Sequence, residues 1–217
     1  MSATTLERIE SARIVPVVVL DDAARAVDLA RALSAGGIGT AEITLRTDAG
    51  LDAIAAIAAD LPDFVIGAGT VLTIDDVDRV IDAGARFVVS PGFDDEVVAR
   101  TLARGALPLP GVATATEVQR ALAAGLGHMK FFPAAQLGGL PTISALAGPF
   151  PNARFLPSGG VSLANAGEYL ASPSVFAVSG SWMVPRAAIA SGDFEMVQRL
   201  SAEAVAALPE SGTGAST

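Results

Sequence analysis

The run Gly127-His128-Met129-Lys130-Phe131-Phe132-Pro133 reads as a short buried strand. Its side chains alternate, with His128, Lys130 and Phe132 on one face and Met129 and Phe131 on the other. A proline closes it, and proline cannot donate to a further rung of a sheet. A helix-period segment at 115–124 comes before it, and the same order of apolar run, loop and helical pattern recurs about every 20 to 25 residues along the chain.

Working outward, strands are expected at 14–20, 38–45, 64–67, 86–90, 107–109, 128–132, 154–156 and 174–178. Asp21-Asp22 should cap the first intervening helix, which runs to Gly36-Gly37, and further helices are expected at 48–59, 75–83, 94–104 and 115–124. Eight βα units without a linker predict one α/β domain, a (β/α)8 TIM barrel over 1–208. A short helix in the first dozen residues should cover the closed end, with a loose tail at 209–217. A Rossmann sheet would want a glycine fingerprint after the first strand, and Leu20-Asp21-Asp22-Ala23 has none.

Composition narrows the function classes. A net charge of −9 argues against nucleic acid, whose phosphates need clustered cations. No apolar stretch reaches the ~18 residues of a membrane span, and residues 1–10 lack a secretory pattern, so a cytoplasmic protein is expected. Without cysteine there is no disulfide framework, thiol nucleophile or thiolate metal site. Neither a metal nor a cofactor is expected.

Lys130 is the only lysine in the sequence; the other 13 basic residues are Arg. A bias toward arginine codons would thin out lysines without explaining the one that stays. An amine can lose its proton and attack a carbonyl, whereas a guanidinium stays protonated. In a barrel the active site lies where strands become loops. Those junctions carry Glu42-Ile43-Thr44-Leu45-Arg46-Thr47, Gly67-Ala68-Gly69-Thr70, Ser90-Pro91-Gly92, Lys130 to Pro133, Ser158-Gly159-Gly160 and Ser179-Gly180-Ser181. On the second strand Glu42, Thr44 and Arg46 share a face that should point inward. Glu42 is then either half of a structural ion pair with Arg46 or Lys130, or an acid/base beside an amine nucleophile. Burial favours the neutral amine and a nearby carboxylate the charged one; sequence leaves that balance open. His128, two residues deeper, reads as a barrel-floor residue. The Ser158-Gly159-Gly160 and Ser179-Gly180-Ser181 runs after the last two strands stand where such barrels often hold phosphate.

Taken in order, Glu42 to Thr47, Gly67-Ala68-Gly69-Thr70-Val71-Leu72, Ser90-Pro91-Gly92, Lys130-Phe131-Phe132-Pro133-Ala134 and Gly180-Ser181-Trp182 closely resemble the 2-keto-3-deoxy-6-phosphogluconate (KDPG) aldolase family over nearly the whole chain. The resemblance implies a metal-free class I aldolase that splits KDPG into pyruvate and glyceraldehyde 3-phosphate. It implies Lys130 as the Schiff-base lysine and Glu42 as the general acid/base, with Arg46 and Thr70 holding the pyruvyl carboxylate. Pro91 and Phe132 would line the pocket, and Gly159, Gly160 and Ser181, with Gly180 beside them, would bind the phosphate. Two positions depart from the family pattern. Ser158 stands where relatives commonly have threonine, at a position tied to reading the substrate's C4 configuration or its phosphate, and Ala135 stands where an acidic residue is usual. The related 4-hydroxy-2-oxoglutarate aldolase activity is the nearest alternative; a non-catalytic phosphate-ligand barrel or a phosphosugar isomerase is one of another class. The family likeness also implies a homotrimer acting on a small phosphorylated keto acid.

Overall fold

Nine short parallel strands form the staves of one barrel in the computed structural model, which describes residues 4–209. They are β1 (Ile14–Val18), β2 (Thr40–Thr44), β3 (Val65–Gly69), β4 (Phe87–Val89), β5 (Leu107–Leu109), β6 (Gly111–Val112), β7 (His128–Phe131), β8 (Arg154–Pro157) and β9 (Val178–Gly180). One ladder runs β5-β4-β3-β2-β1-β9 and the other β6-β7-β8. β5 and β6 are a single stave interrupted at Pro110, which has no N–H to give. Parallel bridges Phe155↔Val175 and Ser158↔Ser179 close the circle between β8 and β9. The eighth stave sits later than the expected 174–178, because its main pairing is with β1 (Ile14↔Val178, Val15↔Ser179, Pro16↔Gly180). The ladder partner, not the apolar run, sets its register.

Helices alternate with the staves: α1 (Thr5–Ala12), α2 (Ala26–Ala35), α3 (Gly50–Asp60), α4 (Ile74–Asp82), α5 (Asp95–Ala103), α6 (Ala115–Ala123), α7 (Gly139–Ala147), α8 (Leu163–Leu170), α9 (Arg186–Ser191) and α10 (Phe194–Ala206). Their starts are written in the sequence. Thr73 and Asp94 accept from the backbone N–H groups of Asp76 and of Glu96 and Val97, and Thr114 forms a capping box with Glu117. Each such cap stabilises its helix by about 1 kcal/mol.

Strand parity divides the apolar residues into two cores. Ile14, Ile66, Val88, Phe155 and Val178 face the helices, while their neighbours Val15, Val65, Val89, Leu156 and Ala177 face the barrel axis. Ile9 of α1, wholly buried, belongs to the inner group. The first helix therefore stoppers the N-terminal end, as expected. His128 lies at this floor, its Nε2 3.0 Å from Glu10 Oε1 and its ring edge-on to Phe176. Outside, Arg100 makes a bidentate contact to Asp78 at 2.8 Å, and Arg104 ties Asp78 to Asp82, locking α4 to α5. No helix among the described residues is long and apolar enough to cross a membrane. Of the expected tail, residues 210–217 lie outside the described residues.

Candidate active site

The second and sixth staves of an eight-membered ring lie opposite each other, and β2 and β7 hold those places. Parity turns Glu42 and Lys130 into the interior, 1% and 4% exposed, where Lys130 Nζ stands 3.5 Å from Glu42 Oε1. Room for this meeting comes from β3, whose two upper inward positions are Gly67 and Gly69. A Cβ at Gly69 would sit 2.0 Å from Glu42 Oε1, and one at Gly67 2.4 Å from the Phe87 ring. Thr44 spends its hydroxyl on the Val18 carbonyl at 2.9 Å. Lys130 Nζ lies 5.1 Å from the centroid of the Phe132 ring, an apolar wall that also favours a cation.

Above the pair opens a cavity of about 270 Å³ lined by Val17, Arg46, Phe132, Ser158, Gly159, Gly160, Val161, Gly180 and Ser181. Arg46 is exposed and donates through Nε to Thr70 Oγ1 at 3.3 Å; among the described residues it forms no ion pair. A guanidinium with free donors at a cavity mouth is suited to a carboxylate. Thr70 has φ +60°, a left-handed conformation that a β-branched residue rarely adopts. Strain of this kind costs on the order of 1–3 kcal/mol and gathers at ligand sites.

The far wall is a backbone cradle. Gly159 and Gly160 have φ +89° and +82°, and a Cβ at Gly160 would strike Ala135 Cβ at 2.3 Å. Ala134 and Ala135 donate to the Ser158 and Gly159 carbonyls, pinning the loop, and the N-terminus of α8 follows directly. Gly180 is the last residue of β9 rather than part of a loop, and the Trp182 ring fills the space a Cβ there would need, 2.2 Å away.

The structure thus brings together Lys130, Glu42, Arg46, Thr70, Phe132, Ser158, Gly159, Gly160, Gly180 and Ser181. Pro91 stands apart: it is exposed, in a neighbouring cavity of about 220 Å³ with Leu72, Ser90 and Phe93, and its carbonyl packs against Gly111. A wider depression of about 630 Å³ lies along α10, but it is the outer face of one helix and gathers no converging groups. Among the described residues no three His, Asp or Glu side chains cluster to hold a metal.

The sequence places Ser179 in a run at the barrel mouth but assigns it no role of its own. Ser179 is wholly buried, and with Glu42 Oε2 and Trp182 Nε1 its Oγ is one of three buried side-chain polar atoms without a partner among the described residues. All three lie in or beside this site. Inward parity on the last strand was the signal available, and the uncertain register of that strand concealed it.

The family model "KDPG and KHG aldolase" matches residues 6–200. The chain is 50% identical to the 2-dehydro-3-deoxy-phosphogluconate aldolase of Treponema pallidum (strain Nichols), covering 91% of this chain and 94% of that one. It is 44% identical to the KHG/KDPG aldolase of Escherichia coli (strain K12), over 88% and 90% of the two chains. Its backbone is similar to that of the Legionella pneumophila KDPG aldolase holding pyruvate as a covalent carbinolamine intermediate, with a TM-score of 0.88, 38% identity and coverage of 92% and 97%. It is also similar to the Zymomonas mobilis ZM4 enzyme with 3-phosphoglycerate, with a TM-score of 0.86, 40% identity and coverage of 94% and 98%.

Proposed function

The chain belongs to the KDPG and KHG aldolase family, and on that premise we propose that it is a class I lyase cleaving KDPG to pyruvate and glyceraldehyde 3-phosphate through an imine on Lys130. The observation that carries this reading is the buried Lys130–Glu42 pair at 3.5 Å, set beneath a cavity with an unpaired guanidinium at its mouth.

A proton passing from Nζ to the carboxylate across that gap leaves the amine free to attack the C2 ketone. Glu42 returns a proton to the departing oxygen as the carbinolamine loses water, and the product is a protonated imine. The unpartnered Oε2 leaves Glu42 a free acceptor for the C4 hydroxyl proton. As that proton leaves, the C3–C4 bond breaks, its electrons reduce the imine to an enamine, and glyceraldehyde 3-phosphate departs. Protonation at C3 and hydrolysis then release pyruvate and restore the amine. The protonated imine accepts the electrons of the breaking bond.

Arg46 and Thr70 hold the pyruvyl carboxylate in this scheme and Phe132 packs on the reacting carbons, while Pro91 lines the neighbouring cavity. The phosphate lies in the cradle of Gly159, Gly160, Gly180 and Ser181, with Ser158 beside it. With a net charge of −9 the protein repels such a substrate at long range, so these local donors carry its recognition.

Incubation with pyruvate and borohydride should inactivate the protein with one adduct on the Lys130 peptide, and mass spectrometry that finds none removes this reading. A non-catalytic phosphate-binding barrel would instead keep its function in Lys130→Arg. One observation favours a second activity, on 4-hydroxy-2-oxoglutarate: the cradle offers hydroxyl and backbone donors, which take a carboxylate as well as a phosphate. Kinetics on both substrates with Ser181→Ala separate the two, since the phosphorylated one should suffer more. A cytoplasmic location and a homotrimer are further expectations, from composition and family likeness respectively; light scattering tests the second.

A further inference from the structure

Ser179 is fully buried and among the described residues its Oγ has no partner, an arrangement that costs stability when it lasts. Its neighbours show what it faces. Ala177, two residues earlier, points to the barrel axis, so Ser179 does too. The parallel bridge Ser158↔Ser179 sets it beside Ser158, and the next two residues, Gly180 and Ser181, line the cavity. Ser158 lies on the cavity wall, and Ser179 lies beside it on the neighbouring strand, about 5 Å away from backbone to backbone. A rotamer step of Ser179 brings the two oxygens within hydrogen-bond range.

The level of this rung matters. Lys130 pairs with Leu156, so the Ser158 backbone stands one inward step, roughly 6–7 Å, above that of Lys130, on the side where the cavity opens. The cradle of Gly159, Gly160 and Ser181 lies just beyond. The part of the substrate crossing the rung is therefore its middle, C4 and C5, which carries hydroxyls.

We infer that Ser179 is a positioning and specificity residue: it donates to Ser158 Oγ and so aims the Ser158 proton at the hydroxyl-bearing carbons of the bound substrate. This rests on the aldolase reading above. Pyruvate, which has no carbon beyond C3, never reaches the rung, and that difference supplies the test.

In wild-type protein, exchange of pyruvate methyl protons and borohydride trapping at Lys130 report on the aldolase reading alone; if both fail, that reading falls first. With it standing, kcat/KM for KDPG cleavage is compared with the rate of pyruvate exchange in Ser179→Ala, Ser158→Ala and the double variant. Ser179→Ala should lower the ratio of cleavage to exchange roughly three- to tenfold, the value of one hydrogen bond. The double variant should lose no more than Ser158→Ala, because Ser179 acts through that residue. Ser179→Cys, of similar volume and weak as a donor, should recover part of the loss and guards against a folding artefact. An unchanged ratio, with the melting temperature raised by removing an orphaned hydroxyl, overturns the inference. Equal losses in cleavage and exchange overturn it as well, since they indicate only a structural role.

Discussion

The lower and upper halves of the barrel interior are built from the same staves yet do opposite work. Below, Val15, Val65, Phe87, Val89, Leu109, Leu156 and Ala177 close around Ile9, with the Thr40 hydroxyl spent on the Val65 carbonyl at 2.9 Å and His128 at the floor. One inward step up those strands stand Val17, Gly67, Ser158 and Ser179, and across them Glu42 meets Lys130. The alternation is the same; only the height differs. Packing below holds the ring rigid, and that rigidity lets the upper half keep a buried ion pair, orphaned polar atoms and a left-handed threonine.

The comparison breaks most severely at Lys130. Lys130→Ala should lower KDPG cleavage by at least about 10³-fold, measured by steady-state kinetics, and should lower the unfolding midpoint only through the Glu42 carboxylate it strands, read by denaturant titration. Glu42→Gln should lower kcat by about 10²–10⁴-fold, with ligand binding much less affected; equal losses in both would return Glu42 to a structural ion pair. The lower half should answer in the opposite way. Phe87→Ala, at a wholly buried position, should cost about 3–5 kcal/mol of stability, and whatever stays folded should still trap pyruvate on Lys130.

Gly69 joins the two halves. Gly69→Ala drives a methyl into the Glu42 carboxylate and should lower kcat by about a hundredfold through misplacement of that group, visible in the pH–rate profile. The smallest effect lies outside the barrel. Hydrogen bonds from Arg100, and after them from Arg104, hold the Asp78 carboxyl below its usual 3.8. A value depressed by folding gives stability that is present above the unfolded value and lost as pH falls through the folded one. Asp78→Asn should therefore flatten the acid limb of a melting-temperature profile and leave turnover at neutral pH unchanged.

Much of this was legible in the residues themselves. Periodicity and caps marked the βα repeat, and Thr73, Asp94 and Thr114 start helices where their spacing indicates. A lone lysine among arginines, and a glutamate on an inward face, announced chemistry from residue type alone. Register was harder. The last strand was expected at 174–178 because Val175, Ala177 and Val178 are apolar, but its main ladder to β1 spans Val178 to Gly180. That displacement left Ser179 without a role, and Pro91 lines a neighbouring cavity with Leu72, Ser90 and Phe93.

The sequence by itself determined the alternation, the fold class and which side chains are chemically able to react, because periodicity and functional-group chemistry are local properties of the chain. Tertiary structure alone decided that the second and sixth staves stand opposite each other, how far Glu42 lies from Lys130, and which serines share a rung. Those are outcomes of ring closure and strand register, set by hydrogen bonds between segments far apart in sequence, and no local pattern records them.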